Sequence, residues 1–261
     1  MDDETGPDET GAGEGGTARP RLGSMCGRFV VTNVASQLVG LLNVDTVADD
    51  LPEPSYNVAP TDRAGIVLDS AKTDPPTRRL ESARWGLVPA WAKDVGIGSR
   101  AFNARAEDLE DKPMFRRPLE KRRAIVPTSG YYEWKTTPEG KVPHYIRPEG
   151  DAPLFLAGLY EWWRDPGRAD DDPERWLLSF TILTRDAIGA LGSIHDRMPL
   201  FVDADFADAW LDTDTDNVHD ILDAAIDAAP DVARSLRNDV VSTAVGNVRN
   251  NGPELIEPVG S

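Results

Sequence analysis

The chain has 261 residues, of which 40% are apolar and seven are Trp, and a formal charge of −17: enough apolar matter for one large packed domain. A single Cys excludes an internal disulfide, and with only three scattered His it gives no zinc-ligand spacing. No apolar run reaches the length of a membrane span, and the first residues are acidic where a secretory signal is basic and then apolar, so a soluble cytoplasmic protein without metal or cofactor is expected.

The negative charge argues against nucleic acid as a partner, because phosphate binding needs positive charge at the contact. The acidity is nevertheless global. The stretches DPGRADDDPE (165–174) and DTDTDNVHD (212–220), with 22 Arg against six Lys, resemble the solvated surface of a protein adapted to high salt. A local groove built from Arg stays open, and in such a cell it would lean on stacking, hydrogen bonds or covalency.

Residues 1–24 carry almost no apolar side chains and read as a disordered acidic leader or a mis-assigned start. Beyond them a run of short β-branched or aromatic segments reads as strands: RFVVT (28–32), AGIVL (64–68), RAIVP (123–127), GYYEWK (130–135), HYIRP (144–148), LFLAGLYEWW (154–163) and WLLSFTILT (176–184). The last two flank DPGRADDDPERW, a long hairpin loop. Helical patterns cover VASQLVGLLNV (34–44), ARAEDLED (104–111), DADFADAWLD (203–212) and VHDILDAAIDAA (218–229). With no internal repeat and no linker after residue 25, the expectation is one α+β domain over 25–261, mostly antiparallel sheet with helices at its flanks.

Several polar residues stand out in otherwise apolar or turn-like segments: Asn57 in PSYNVAPT, Asn103 and Arg105 in FNARAED, Glu133 in SGYYEWK, and His195 in SIHDRMP. Each has an ordinary structural reading. Asn57 could stabilise a turn before Pro60, Asn103 could cap the helix read over 104–111, and Arg105 could pair with Glu107 or Asp108. Glu133 on a strand is costly if buried without partners, or points to solvent by period-two alternation. A lone His195 is commonly structural, and Cys26 alone would be a small buried hydrophobe.

The segments MCGRF (25–29), YNVAPT (56–61), WGLVPAWAKD (85–94), FNARAED (102–108), RRAIVPTSGYYEWK (122–135), SIHDRMP (193–199) and AVGNVRNNGPELI (244–256) occur in that order. In this the chain closely resembles the SOS-response-associated peptidase (SRAP) family, also called abasic-site processing proteins, from Met25 to about Pro258. The resemblance implies a compact α+β fold with a barrel-like β core that binds single-stranded DNA and forms a covalent crosslink to abasic sites. It makes Cys26 the crosslinking residue, Glu133 and His195 the catalytic polar pair, and Asn103 the group that positions the reacting sugar. Arg28 and Arg105 would hold phosphates, Trp91 would offer the DNA a hydrophobic surface, and Asn57 falls in the same surface. Relatives often have two adjacent Trp where this chain has Trp91 and Ala92, and a basic residue where it has Pro113.

The implied chemistry fits the residue types. An abasic site exposes an aldehyde at C1' of the ring-opened sugar, and a 1,2-aminothiol traps an aldehyde by forming an imine and closing a five-membered thiazolidine. Only an N-terminal Cys offers both groups, and an α-amine with a pKa near about 8 is partly neutral at pH 7. The chemistry therefore requires that translation start at Met25, followed by its removal, or that the leader be cut before Cys26. Two rivals stay open: a thiol peptidase using Cys26, which needs no free amine, and a non-catalytic single-strand binding module. The absence of a heptad pattern favours a monomer.

Overall fold

The computed structural model describes residues 27–32, 35–70, 75–214 and 217–260. The leader read over 1–24 and the thiol residue Cys26 lie outside the described residues. Fourteen strands run in chain order: β1 Arg28–Val31, β2 Thr46–Val47, β3 Ser55–Val58, β4 Arg63–Ser70, β5 Thr77–Trp85, β6 Asn103–Arg105, β7 Arg123–Thr128, β8 Gly130–Thr137, β9 Gly140–Arg147, β10 Leu154–Arg164, β11 Trp176–Asp186, β12 Arg197–Pro199, β13 Phe201–Val202 and β14 Arg237–Val240. The helices are α1 Ala35–Leu42, α2 Pro113–Lys121, the one-turn α3 Gly189–Gly192, α4 Ala207–Leu211 and α5 Val218–Ser235.

The larger sheet closes on itself. Its order β12-β11-β10-β7-β4-β5-β2 is completed by a parallel pairing of β11 with β5, which makes β11, β10, β7, β4 and β5 a five-strand barrel. The smaller sheet has the order β14-β9-β8-β1-β3. Alternate residues of the barrel strands serve two cores, because strands covered on both faces bury both parities. Ile66, Trp85, Val126 and Phe180 pack with Phe29, Tyr131 and Ile146 of the smaller sheet, whereas Val67, Leu80, Ile125 and Leu159 pack under the helices with Leu38, Phe115, Trp210 and Leu222. Trp85 joins the two sheets: it is fully buried, lies 4.8 Å from Phe29 and 6.4 Å from Phe180 between ring centroids, and donates its indole N–H to the Phe102 carbonyl at 2.8 Å.

All seven expected strands and the long hairpin loop are present. The helix read over 104–111 is not. Residues 103–105 form β6, laid parallel to β11 with Ile182 opposite Asn103 and Thr184 opposite Arg105, and only a single 3₁₀ turn follows at Ala106–Asp108. The backbone of 102–105 is claimed by the neighbouring strand, as in the Ile182 N–H donation to the Phe102 carbonyl at 3.0 Å. Sheet pairing thus overrides the helical propensity of an Ala- and Glu-rich segment. The helix over 203–212 shortens to α4, because the Asp203 carboxylate accepts from the Phe206 N–H and holds the first residues in a turn.

Helix α5 runs past Pro230 to Ser235, longer than the pattern implies. A proline inside a helix frees the carbonyl four residues before it. That carbonyl belongs to Ile226, and the Arg185 guanidinium donates to it from β11.

Candidate functional site

The thiol end of the chain enters the fold through β1. Arg28, two residues after Cys26, is the register partner of Tyr132 on β8, with Phe29 opposite Tyr131, so the residue following Tyr132 flanks the start of β1. That residue is Glu133, 2% exposed, with Oε1 accepting the Trp134 N–H at 3.1 Å. The strand alternation that could have sent Glu133 to solvent instead turns it inward. Its direct partner on β9 is His144, and directly opposed residues of antiparallel strands share a face. His144 is buried, with Nδ1 3.2 Å from Asn238 Oδ1. Burial holds the imidazole pKa below its usual value against the opposing hydrogen bond to Asn238, and Lys135 adds to the downward shift.

Asn103 and Arg105 sit on β6, the first half-buried and the second exposed. The two carboxylates that could have paired with Arg105 are engaged elsewhere: Asp108 with Lys112 at 3.1 Å, and Glu107 in a two-pronged contact with Arg197 at 2.8 and 3.0 Å. Arg197 also bonds Asp186 and the Thr184 carbonyl, so one buried guanidinium ties β12 and the end of β11 to the turn after β6. Burial, the largest single influence, pushes the Glu107 carboxyl up, but the Arg197 hydrogen bonds, a backbone hydrogen bond and the guanidinium charge together outweigh it and the net shift is downward.

His195 lies between α3 and β12, 18% exposed at its side chain. Its Nδ1 is 3.0 Å from the Arg197 backbone N and 2.9 Å from Asp196 Oδ1. One nitrogen cannot accept and donate at once. The neutral ring accepts the Arg197 N–H and carries its proton on Nε2, whereas the charged ring donates to Asp196. In either form Nε2 carries an N–H that has no acceptor among the described residues.

Asn57 is 3% exposed and makes no turn before Pro60; the Asp62 carboxylate does that by accepting the Ala59 N–H at 2.9 Å. The Asn57 Oδ1 accepts from Arg28 Nη1 at 2.9 Å, while its Nδ2 lies 2.8, 3.1 and 3.3 Å from the carbonyls of Asn250, Asn247 and Val245. Arg28 Nη1 adds a 2.8 Å bond to the Val245 carbonyl, and Nη2 a 3.4 Å contact to Gly246. Burial moves the Arg28 pKa downward against the charges of Asp62 and Tyr132. Of five guanidinium N–H groups, Nε–H and one on Nη2 keep no acceptor among the described residues, which leaves one two-pronged edge.

Trp91 is 64% exposed beside a small hollow lined by Lys93, Asp94 and Ile97. Ala92, where relatives often carry a second Trp, is buried with Val88 and Trp163, and its carbonyl accepts the Trp163 indole N–H at 2.7 Å. A larger side chain there would displace Trp163. Pro113 is the first residue of α2, where its missing N–H costs nothing.

An apolar cavity of about 510 Å³ between Val31, Leu38, Leu51, Val58 and Leu80 contains none of the candidate residues. Among the described residues no group of three or more His, Cys, Asp or Glu is placed to hold a metal, and no helix is long and apolar enough to cross a membrane. Arg197 and the carbonyl row 245–250 are neighbours of the candidate residues that residue-by-residue reading missed, and Glu107, read as a partner of Arg105, pairs with Arg197 instead. Arg197 stood in the quoted SIHDRMP segment, and the carbonyl row in AVGNVRNNGPELI.

A single α+β domain built round a closed five-strand barrel, with polar groups gathered at the start of its neighbouring sheet, defines the class. The chain belongs to the SOS response associated peptidase (SRAP) family, whose sequence profile matches residues 25–248. It is 37% identical over 241 residues to the abasic site processing protein YoqW of Bacillus subtilis (strain 168), covering 89% of this chain and 99% of that one. It is 32% identical over 239 residues to the abasic site processing protein YedK of Escherichia coli (strain K12), covering 90% and 100%. A solved structure of a protein from Bacteroides thetaiotaomicron superposes with a TM-score of 0.72 at 23% identity, over 90% of this chain and all of that one.

Proposed function

We propose that the chain processes abasic sites in single-stranded DNA by joining its own Cys26 to the ring-opened sugar. The names of its relatives support the lesion, and the observation that carries the chemistry is the register that sets buried Glu133 beside the start of β1. The Cys26 amine adds to the C1' aldehyde and the carbinolamine loses water to give an imine. The thiol then adds to the imine carbon, forming the C–S bond while the nitrogen takes up a proton; one water leaves in all. Glu133 exchanges the protons of dehydration and ring closure, and His195, with a proton on Nε2, serves the sugar hydroxyl in opening and in the reverse reaction. Asn103 orients the sugar. Arg105 and the remaining edge of Arg28 hold flanking phosphates, held in place by Asn57, and Trp91 stacks on a base. The active species is a cytoplasmic monomer that begins at Cys26.

The test compares protein beginning at Cys26, the same protein with its α-amine acetylated, and the chain with its leader, each incubated with single-stranded DNA bearing one abasic site and boiled in detergent. Only the first is expected to stay attached. Attachment by the acetylated protein would refute the imine. Cleavage of peptides by acetylated protein would favour the thiol peptidase, and complete dissociation of every sample the binding module. Glu133→Gln is expected to slow attachment by about 10²- to 10⁴-fold, the usual worth of a positioned proton-transfer group.

A further inference from the structure

The segment AVGNVRNNGPELI has no part in the chemistry above, yet it is the segment that Arg28 and Asn57 hold. Four consecutive or near-consecutive carbonyls, from Val245, Gly246, Asn247 and Asn250, are turned inward onto these two side chains. The turn is also braced from within and behind. The Asn250 side chain donates to the Ala244 carbonyl at 2.8 Å, the Arg249 backbone N–H donates to Asn247 Oδ1 at 3.1 Å, and Asn251 Oδ1 accepts from the Tyr56 N–H at 2.7 Å and from Ser55 at 3.1 Å.

With these carbonyls inward and Val245 buried, the turn carries the side chains of Val248 and Arg249 outward. Val248 is 55% exposed and Arg249 is exposed beside it. Other exposed arginines of this acidic chain, such as Arg164, Arg168 and Arg234, are paired with Asp or Glu. The Arg249 side chain has no such partner among the described residues; only its backbone N–H is bonded. A braced turn that lifts a guanidinium with no acidic partner among the described residues, anchored on the side chain two residues from the thiol, is a preorganised anion contact.

We propose that Arg249, presented on the turn of residues 244–251, contacts a backbone phosphate of the bound single strand, with Arg28 and Asn57 acting as the positioning residues that hold that turn. Val248 provides the apolar ledge next to it. This rests on single-stranded DNA being the partner and adds a contact on the smaller sheet, apart from Trp91 and Arg105.

The experiment measures affinity for an undamaged single-stranded oligonucleotide as a function of salt, using protein that begins at Cys26. Arg249→Gln is expected to reduce the slope of log K against log salt by about 0.7, the share of one phosphate on a single strand, and to weaken binding about threefold. Arg249→Lys should keep the slope, and Arg234→Gln, on the far end of α5, should match the wild type. An unchanged slope in Arg249→Gln overturns the proposal, and so does an equal loss in Arg234→Gln. Asn57→Leu, which also loosens Arg28, should lose at least the same increment although Arg249 is still present, and adding Arg249→Gln to it should cost less than Arg249→Gln does alone; retention of the full slope in folded Asn57→Leu, or a full further loss in the double variant, would remove the positioning role. The outcome for Cys26 is separable: wild-type protein that binds but never crosslinks refutes the lesion chemistry and leaves this contact standing.

Discussion

The closed barrel and the smaller sheet are held together in different ways. In the barrel, β4 and β5 pair over eight residues and β10 and β11 over seven, with both faces covered by Val, Ile, Leu and Phe. Its order comes from area removed from water and from ladder hydrogen bonds between strands. The smaller sheet shares one of those cores but depends in addition on directed polar bonds to distant chain: Arg28 and Asn57 to the 245–250 carbonyls, the Tyr132 hydroxyl to the Tyr56 carbonyl at 2.9 Å, and the Tyr145 hydroxyl to the Ser129 carbonyl at 3.1 Å. Apolar packing accepts many sequences of similar volume, whereas a satisfied polar network accepts one geometry. Arg28, Asn57 and Glu133 stand on the part that has one geometry, whereas Asn103, Arg105 and His195 are carried by strands of the larger sheet or the turn before one.

The largest effect that would sharpen this contrast is Trp85→Ala, which removes the ring between the two sheets and one of the two donors to the Phe102 carbonyl, the Ile182 N–H being the other. It should cost about 3–5 kcal/mol of stability, read as a lower urea midpoint, and lower activity only in proportion to the fraction unfolded. Asn57→Leu is nearly isosteric and removes the acceptor of one Arg28 N–H and the Asn57 donor to the Asn250 carbonyl, for a loss of about 2–3 kcal/mol. Unlike Trp85→Ala, it should also impair DNA attachment in the molecules that remain folded. If the two variants lose activity in step with stability alone, the division between packing and positioning fails.

The smallest effect concerns pH. The folded pKa of His144 lies below the ordinary imidazole value near about 6.5, so the unfolded chain binds more protons in the interval between the two. Stability therefore falls as pH drops from about 7 through that interval and levels off below the folded pKa. His144→Gln should flatten this part of the melting-temperature profile. A profile that stays equally steep would place the titration in another group.

Much of the barrel is visible in the sequence because its strands are apolar runs bounded by turn residues, as in LFLAGLYEWW. Strand β5, TRRLESARW, escapes that reading because four of its nine residues are charged. The structure absorbs three of them in ion pairs, Arg78 with Asp69 at 2.8 Å and with Asp208 at 2.6 Å, and Arg79 with Glu81 at 2.6 Å. Helix α2 was hidden by two prolines within PMFRRPLEK, one at the harmless first position. Glu133 and His195 stood out as candidates from their segments. Their partners Trp134, His144, Asp196 and Arg197 were not, because a hydrogen bond has no sequence period.

What the sequence determined by itself is what local chemistry can encode: alternation that makes strands, the order of motifs that marks the family, and a sole thiol next to a methionine. The tertiary structure alone decided which polar atoms meet. Arg28 and the Val245 carbonyl are 217 residues apart, and only closure of the barrel beside the smaller sheet brings them within bonding distance. Burial there makes any other arrangement costly, since a donor withdrawn from water without an acceptor loses more than the bond itself is worth.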